Sequence, residues 1–82
     1  MKNRIEMQPL AGRYVVAFKD PDTGDLVKAV TLNASAAEML RLHMDGHGTD
    51  SIVRLLSEKY GVGADRIAAD VSRLFKSLEI GD

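Results

Sequence analysis

The chain has 82 residues, 45% apolar and 28% charged, with 11 basic against 12 acidic side chains and no cysteine. That length suits a single domain, 1–82, with one modest core. The net charge of −1 withholds the electrostatic excess of a nonspecific DNA binder, and the missing thiols exclude disulfides, thiolate metal sites and cysteine nucleophiles. No apolar run approaches the roughly 20 residues of a membrane span. The start, Met1 to Glu6, lacks the apolar centre of a signal peptide, so a cytoplasmic location is expected.

Ile5-Glu6-Met7 has the character of a short first strand, ended by a break from Pro9 to Gly12. Tyr14 to Phe18 is β-branched and aromatic, as strands prefer. Lys19 to Asp25 is a turn, in which Pro21 presets φ and Gly24 supplies a left-handed residue. Leu26 to Leu32 alternates, with Leu26, Val30 and Leu32 on the expected core face and Val27, Ala29 and Thr31 on the other. Lys28 interrupts the first set and suits a solvated edge lysine that discourages aggregation.

From Asn33 the apolar period lengthens to 3.6. Asn33 can cap a helix reaching Met44, with a Ser35/Glu38 capping box as the alternative start. Gly46 suits a left-handed C-cap. Thr49 is the expected cap of a second helix whose one side carries Ile52, Leu55, Leu56 and Lys59. Gly61-Val62-Gly63 separates it from a third helix, Ala64 to Leu78. There Leu74, Ile67, Leu78, Val71, Ala64, Phe75 and Ala68 form an apolar stripe of roughly 120°. Arg66, Asp70, Arg73 and Lys76 lie opposite. The fold class is α+β: an N-terminal antiparallel hairpin or three-stranded sheet followed by three helices, the outline of a small winged helix-turn-helix.

Few residues form a chemical constellation. His43 and His47 are four apart, but Gly46 and Gly48 break the helix around them, so no metal site is expected. Five serines lack a partner arrangement for a nucleophile. Gly61-Val62-Gly63 lacks the third glycine and the βαβ setting of a phosphate loop. The chain is therefore expected to be no enzyme and to need no cofactor.

The ordered set Val30-Thr31-Leu32-Asn33, Ser35 to Leu40, Asp45-Gly46, Thr49, Ile52 to Leu56, Tyr60-Gly61-Val62, Asp70 to Phe75 and Leu78 resembles the PqqD-like family, also called RiPP recognition elements. The resemblance runs from about Gly12 to Ile80. It implies a peptide chaperone: a non-catalytic module that captures the leader segment of a ribosomally made precursor peptide. The module presents that segment to a modifying enzyme of natural product biosynthesis, often a radical SAM enzyme. It also implies strand addition beside the last helix. Carried onto this chain, that edge is Leu26 to Leu32 and that helix is Ala64 to Leu78; from the wide apolar stripe beside the hairpin, Val27, Ala29, Thr31, Ala68, Val71 and Phe75 are expected to line the groove. Lys28, Arg73 or Lys76 would attract leader acids from the rim. The competing reading of Phe75 and Ala68 is ordinary core. Two other functions stay open. One is a homodimeric assembly protein paired through its strand edge. The other is a DNA-binding winged helix-turn-helix, against which Asp20, Asp22 and Asp25 in the wing count.

Overall fold

The computed structural model describes residues 4–78. The expectations placed on Met1 to Asn3, Glu79 and Ile80 lie outside them. The chain divides into two compact units, residues 1–37 and residues 38–82, so the boundary falls inside the first helix.

The first unit holds three strands, β1 (Arg4–Leu10), β2 (Arg13–Lys19) and β3 (Leu26–Leu32), in the antiparallel order β1-β2-β3. The first strand is real and longer than the sequence signalled. Pro9 lies within it, paired with Tyr14, which is tolerable because β1 is an edge and one of its rims needs no ladder donor. The expected break shrinks to the two-residue turn Ala11-Gly12, with φ of 52° and 79°. Positive φ at both positions defines the tight turn that matches strand twist, and Asn-Gly is its usual sequence. Ala11 is strained there by about 1–2 kcal/mol. Glycine would remove that strain while losing roughly 0.5–1 kcal/mol of chain entropy. Ala11→Gly is thus expected to raise stability by about 0.5–1 kcal/mol, read as a higher urea midpoint at unchanged slope.

Between β2 and β3, Asp20 Oδ1 accepts the N–H groups of Asp22 (2.8 Å) and Thr23 (3.1 Å), and Gly24 N–H donates to the Asp20 carbonyl at 2.8 Å. Phe18 then opposes Lys28, but Lys19 opposes Leu26, so the pairing skips Val27. This bulge corrects one expectation. Directly opposed residues share a face, and a one-residue slip moves everything beyond it to the other side. Leu26 consequently joins Lys19 on the exposed face and is 60% exposed. Lys28 takes its place on the buried face with Phe18. Val16 and Phe18 are the buried centre of that face, flanked across the strands by half-buried Ile5, Met7 and Val30.

The helix α1 (Ala34–Met44) opens on Asn33, whose Oδ1 accepts the Ala36 N–H at 2.9 Å and the Ser35 hydroxyl at 3.1 Å. Of the two possible starts, the Asn33 cap is the one used. The helix ends in two C-terminal bonds, His47 N–H to the Leu42 carbonyl and Gly46 N–H to the His43 carbonyl, with Gly46 at φ 99°. This paired closure satisfies carbonyls that would otherwise be orphaned.

The second unit continues with α2 (Thr49–Tyr60) and α3 (Ala64–Ser77). Thr49 is not the cap. It is the first helical residue, and Gly48 occupies the cap position without a side-chain bond. Met39, Ile52, Leu56, Ile67, Val71 and Phe75 form the core, with Leu42, Val53, Val62 and Leu74 packed on it. The face expected for α2 is narrower than thought. Ile52 and Leu56 are buried, Leu55 is 37% exposed and Lys59 is outside. Ile67, Val71 and Phe75 on α3, and Leu78 capping its end, are buried as the stripe required, whereas Ala64 is exposed.

Candidate functional site

Each β-strand leaves its N–H and C=O groups along both rims, and the rim without a neighbour can accept another strand. Among the described residues β1 and β3 each pair only with β2. Their outer rims differ. That of β1 contains Pro9, which has no N–H. β3 has seven residues and no proline, and Lys28–Leu32 is its regular stretch beyond the bulge.

The exposed face of the sheet follows from the register. Abreast one another lie Arg4, Lys19 and Leu26; then Glu6, Ala17 and Ala29; then Gln8, Val15 and Thr31. The β1 flank is polar, and Glu6 and Lys19 form an ion pair at 3.0 Å. The β3 flank is apolar and open, with Val27 56% exposed. Ala29 and Thr31 therefore lie together on one solvent-facing strip, while Val27, in the bulge, is exposed but has no partner in the register. Lys28 does not project from the rim into water. It turns to the other face, its Nζ 5.0 Å from the Phe18 ring centroid, a cation–π contact.

On α3 the expected site residues separate into two sets. Val71 (0% exposed) and Phe75 (7%) belong to the helical core, and the Phe75 ring centroid lies 5.0 Å from that of His43. Ala68 is half-buried; Arg73 and Lys76 are exposed. Arg73 is held by Asp70 one turn earlier, at 3.4 Å, an exposed pair of small energetic weight.

Two features were not read from the sequence. The first is a cluster joining the middle of α1 to the end of α2. Glu38 accepts from Lys59 Nζ at 2.5 Å and from the Tyr60 hydroxyl. The Lys59 ammonium first, and the Tyr60 hydroxyl next, hold the Glu38 carboxyl below its usual value. The same bonds raise Lys59 and Tyr60. A lowered carboxyl stabilises the fold above the ordinary carboxylate range, and that contribution is lost as pH falls through the folded value. The raised lysine and phenol act in the opposite sense. Their contribution is complete below their ordinary values of about 10 and disappears as pH rises through the folded ones. Because the cluster is largely solvated, Glu38→Gln is expected to cost less than about 1 kcal/mol at neutral pH. It should also flatten the acid limb of a stability-versus-pH curve, measured by urea unfolding between the acid and neutral ranges.

The second is a shallow groove of about 590 Å³ between α2 and α3, whose lining includes Val53, Ala64 and Ala68. In the same lining Asp50, Glu58 and Asp65 outnumber Arg54. In a helix-turn-helix those are the helices offered to DNA, and this lining would repel phosphate. His47 is half-buried, its Nδ1 3.0 Å from the Ser51 hydroxyl. No group of metal-ligating side chains occurs among the described residues, and no described helix is long and apolar enough to cross a membrane.

A family model described as coenzyme PQQ synthesis protein D (PqqD) matches residues 19–80. The match begins at the last residue of β2, so β3 and all three helices fall within it. No curated protein sequence matches the chain. Among solved structures, TbiB1 in complex with the TbiA(beta) leader peptide is similar, with a TM-score of 0.72 at 18% identity, over 96% of this chain and 88% of that one. At that identity the likeness is one of fold, and it covers three antiparallel strands followed by three helices.

Proposed function

Because the chain belongs to the PqqD family, we propose that it is a non-catalytic peptide-binding module that takes a leader segment as an added strand on β3. One observation carries this reading: β3 is an outermost strand, free of proline, with an open apolar strip along it. A peptide laid there gains backbone hydrogen bonds, while side-chain contacts select it. Each bond contributes a net of about 0.5–1.5 kcal/mol. Micromolar affinity needs roughly 8 kcal/mol. A strand of about five residues therefore requires apolar anchoring besides its ladder, and a bare β edge would not suffice.

The strand residues of the proposed contact set are Val27, Lys28, Ala29 and Thr31. Ala68, Arg73 and Lys76 keep accessible surface on α3 and remain in the set. Val71 and Phe75 would act through the packing that supports their helix. Delivery of the captured peptide to a modifying enzyme, of which a radical SAM enzyme is the expected kind, completes the proposal.

The test titrates synthetic leader segments of whichever short precursor peptides are found encoded near this gene, followed by amide hydrogen exchange. Binding near the micromolar range with slowed exchange in Lys28–Leu32, and none in β1, is the expected result. No binding at several hundred micromolar, or protection confined to β1, would sink the reading. The same open rim could pair with a second copy of the chain. Sedimentation at rising concentration separates that outcome, because a self-paired edge would dissociate as peptide is added.

A further inference from the structure

The exposed face of the sheet is not level. Ala29 and, behind it on β2, Ala17 are its lowest points, and they lie in one cross-strand row. Leu26 stands on one side of that row because of the bulge, and Thr31 on the other. The far end is closed by Glu6, which is tied to Lys19 at 3.0 Å. The small side chains of this row leave a short trough in the solvent-exposed face, reached from the β3 rim. Its floor is methyl groups and its near wall is an exposed leucine.

Resting on the reading of β3 as the strand that receives the leader, we infer that the leader residue abreast Ala29 on the exposed face is large and apolar, and that Ala29 sets its size. Opposed residues in an added strand have Cβ atoms about 4.5–5.5 Å apart, so a side chain there meets Ala29 directly. Strands are spaced about 4.8 Å, so a Leu, Ile or Phe can lie across Ala29 toward Ala17, whereas an alanine would leave the trough wet. The polar flank at the far end gives the side chain a natural stop. Leader residues at alternate positions would face the other side of the sheet and have no part in this selection.

The test exchanges sizes across the contact, using the full chain and the synthetic leader. In the unaltered chain, an alanine scan of the leader should show one exposed-face position whose truncation weakens binding by about tenfold or more. Ala29→Leu fills the trough and should weaken the natural leader by a similar factor. It should bind the leader truncated at that one position better than it binds the natural leader. Such a reversal is a coupling between two side chains, which a general loss of folding cannot imitate. Thermal unfolding of Ala29→Leu, and of Ala29→Thr as a second strand-compatible variant, guards against a folding defect. Gln8→Ala, on the polar flank, should leave affinity unchanged. If Ala29→Leu binds every leader version as the unaltered chain does, the inference is overturned while the peptide-binding reading stands. If the unaltered chain binds no leader, both fall.

Discussion

Leu56→Ala is expected to remove about 2–5 kcal/mol of stability and to lower the midpoint of thermal unfolding by more than about 10 °C. Leu56 is 1% exposed and packs within the cluster formed by α1, α2 and α3. Its loss removes buried apolar area and leaves a cavity that a helical scaffold closes only in part. A chain of this length has roughly 4–12 kcal/mol in total, so the variant could approach half-unfolding at growth temperature. The neighbouring Leu55→Ala is the internal control. At 37% exposure it sits beside the core, and its truncation should cost less than about 1 kcal/mol. Paired circular dichroism melts decide the matter. Equal losses at the two positions would mean that the assigned face of α2 is wrong.

The second large effect concerns the ligand's backbone. Methylating one peptide nitrogen of the leader removes a donor and adds bulk at the rim. Along an added strand, alternate N–H groups point toward β3 and away from it. N-methylation at successive residues should therefore weaken binding with a period of two. Affected positions should lose about tenfold or more, because a lost bond is joined by a clash. Intervening positions should change little. Isothermal titration of five or six singly methylated leaders is enough. A flat profile, or a period near 3.6, would refute strand addition and favour a helical ligand. The protein is untouched throughout, so no folding artefact can enter.

Much of this fold is legible in the sequence, and the failures have physical causes. The hairpin and the three helices are announced by a change of apolar period at Asn33, and Asn33 itself is the cap that forms. Gly46 ends α1 as its conformational freedom suggests. β1 is under-read because Pro9 signals a break, yet a proline at an edge costs nothing in the ladder. Leu26 is misplaced because the bulge carries no glycine or other local mark; it comes from how β2 and β3 pair, which a single strand cannot announce. Thr49 offered a good capping side chain, but Gly48 holds that position.

The candidate site divides in the same way. Alternation alone places Val27, Ala29 and Thr31 on one face; the structure keeps Ala29 and Thr31 there and puts Val27 in the bulge, exposed and outside the register. The stripe of α3 could not tell a core aromatic from a groove aromatic, and Phe75 proves to be in the core. The Glu38, Lys59 and Tyr60 cluster was out of reach, since its members are separated by 21 and 22 positions and each looks like an ordinary surface residue. The trough at Ala29 depends on the bulge, so it became visible only with the register.

The wiring of the strands has a consequence for time. β1, β2 and β3 each pair with their neighbour in sequence through short turns. Contacts so local are reached quickly: a hairpin closes in about 1–10 μs, and small domains of low contact order fold in milliseconds or less. The outer rim of β3 thus exists almost as soon as the chain is released, whether or not a peptide is at hand. During that interval it is open to any extended segment. Under the proposed function, a precursor made at the same time would compete for it by concentration alone, so the supply of leader, rather than the folding of its receptor, would set the pace of capture.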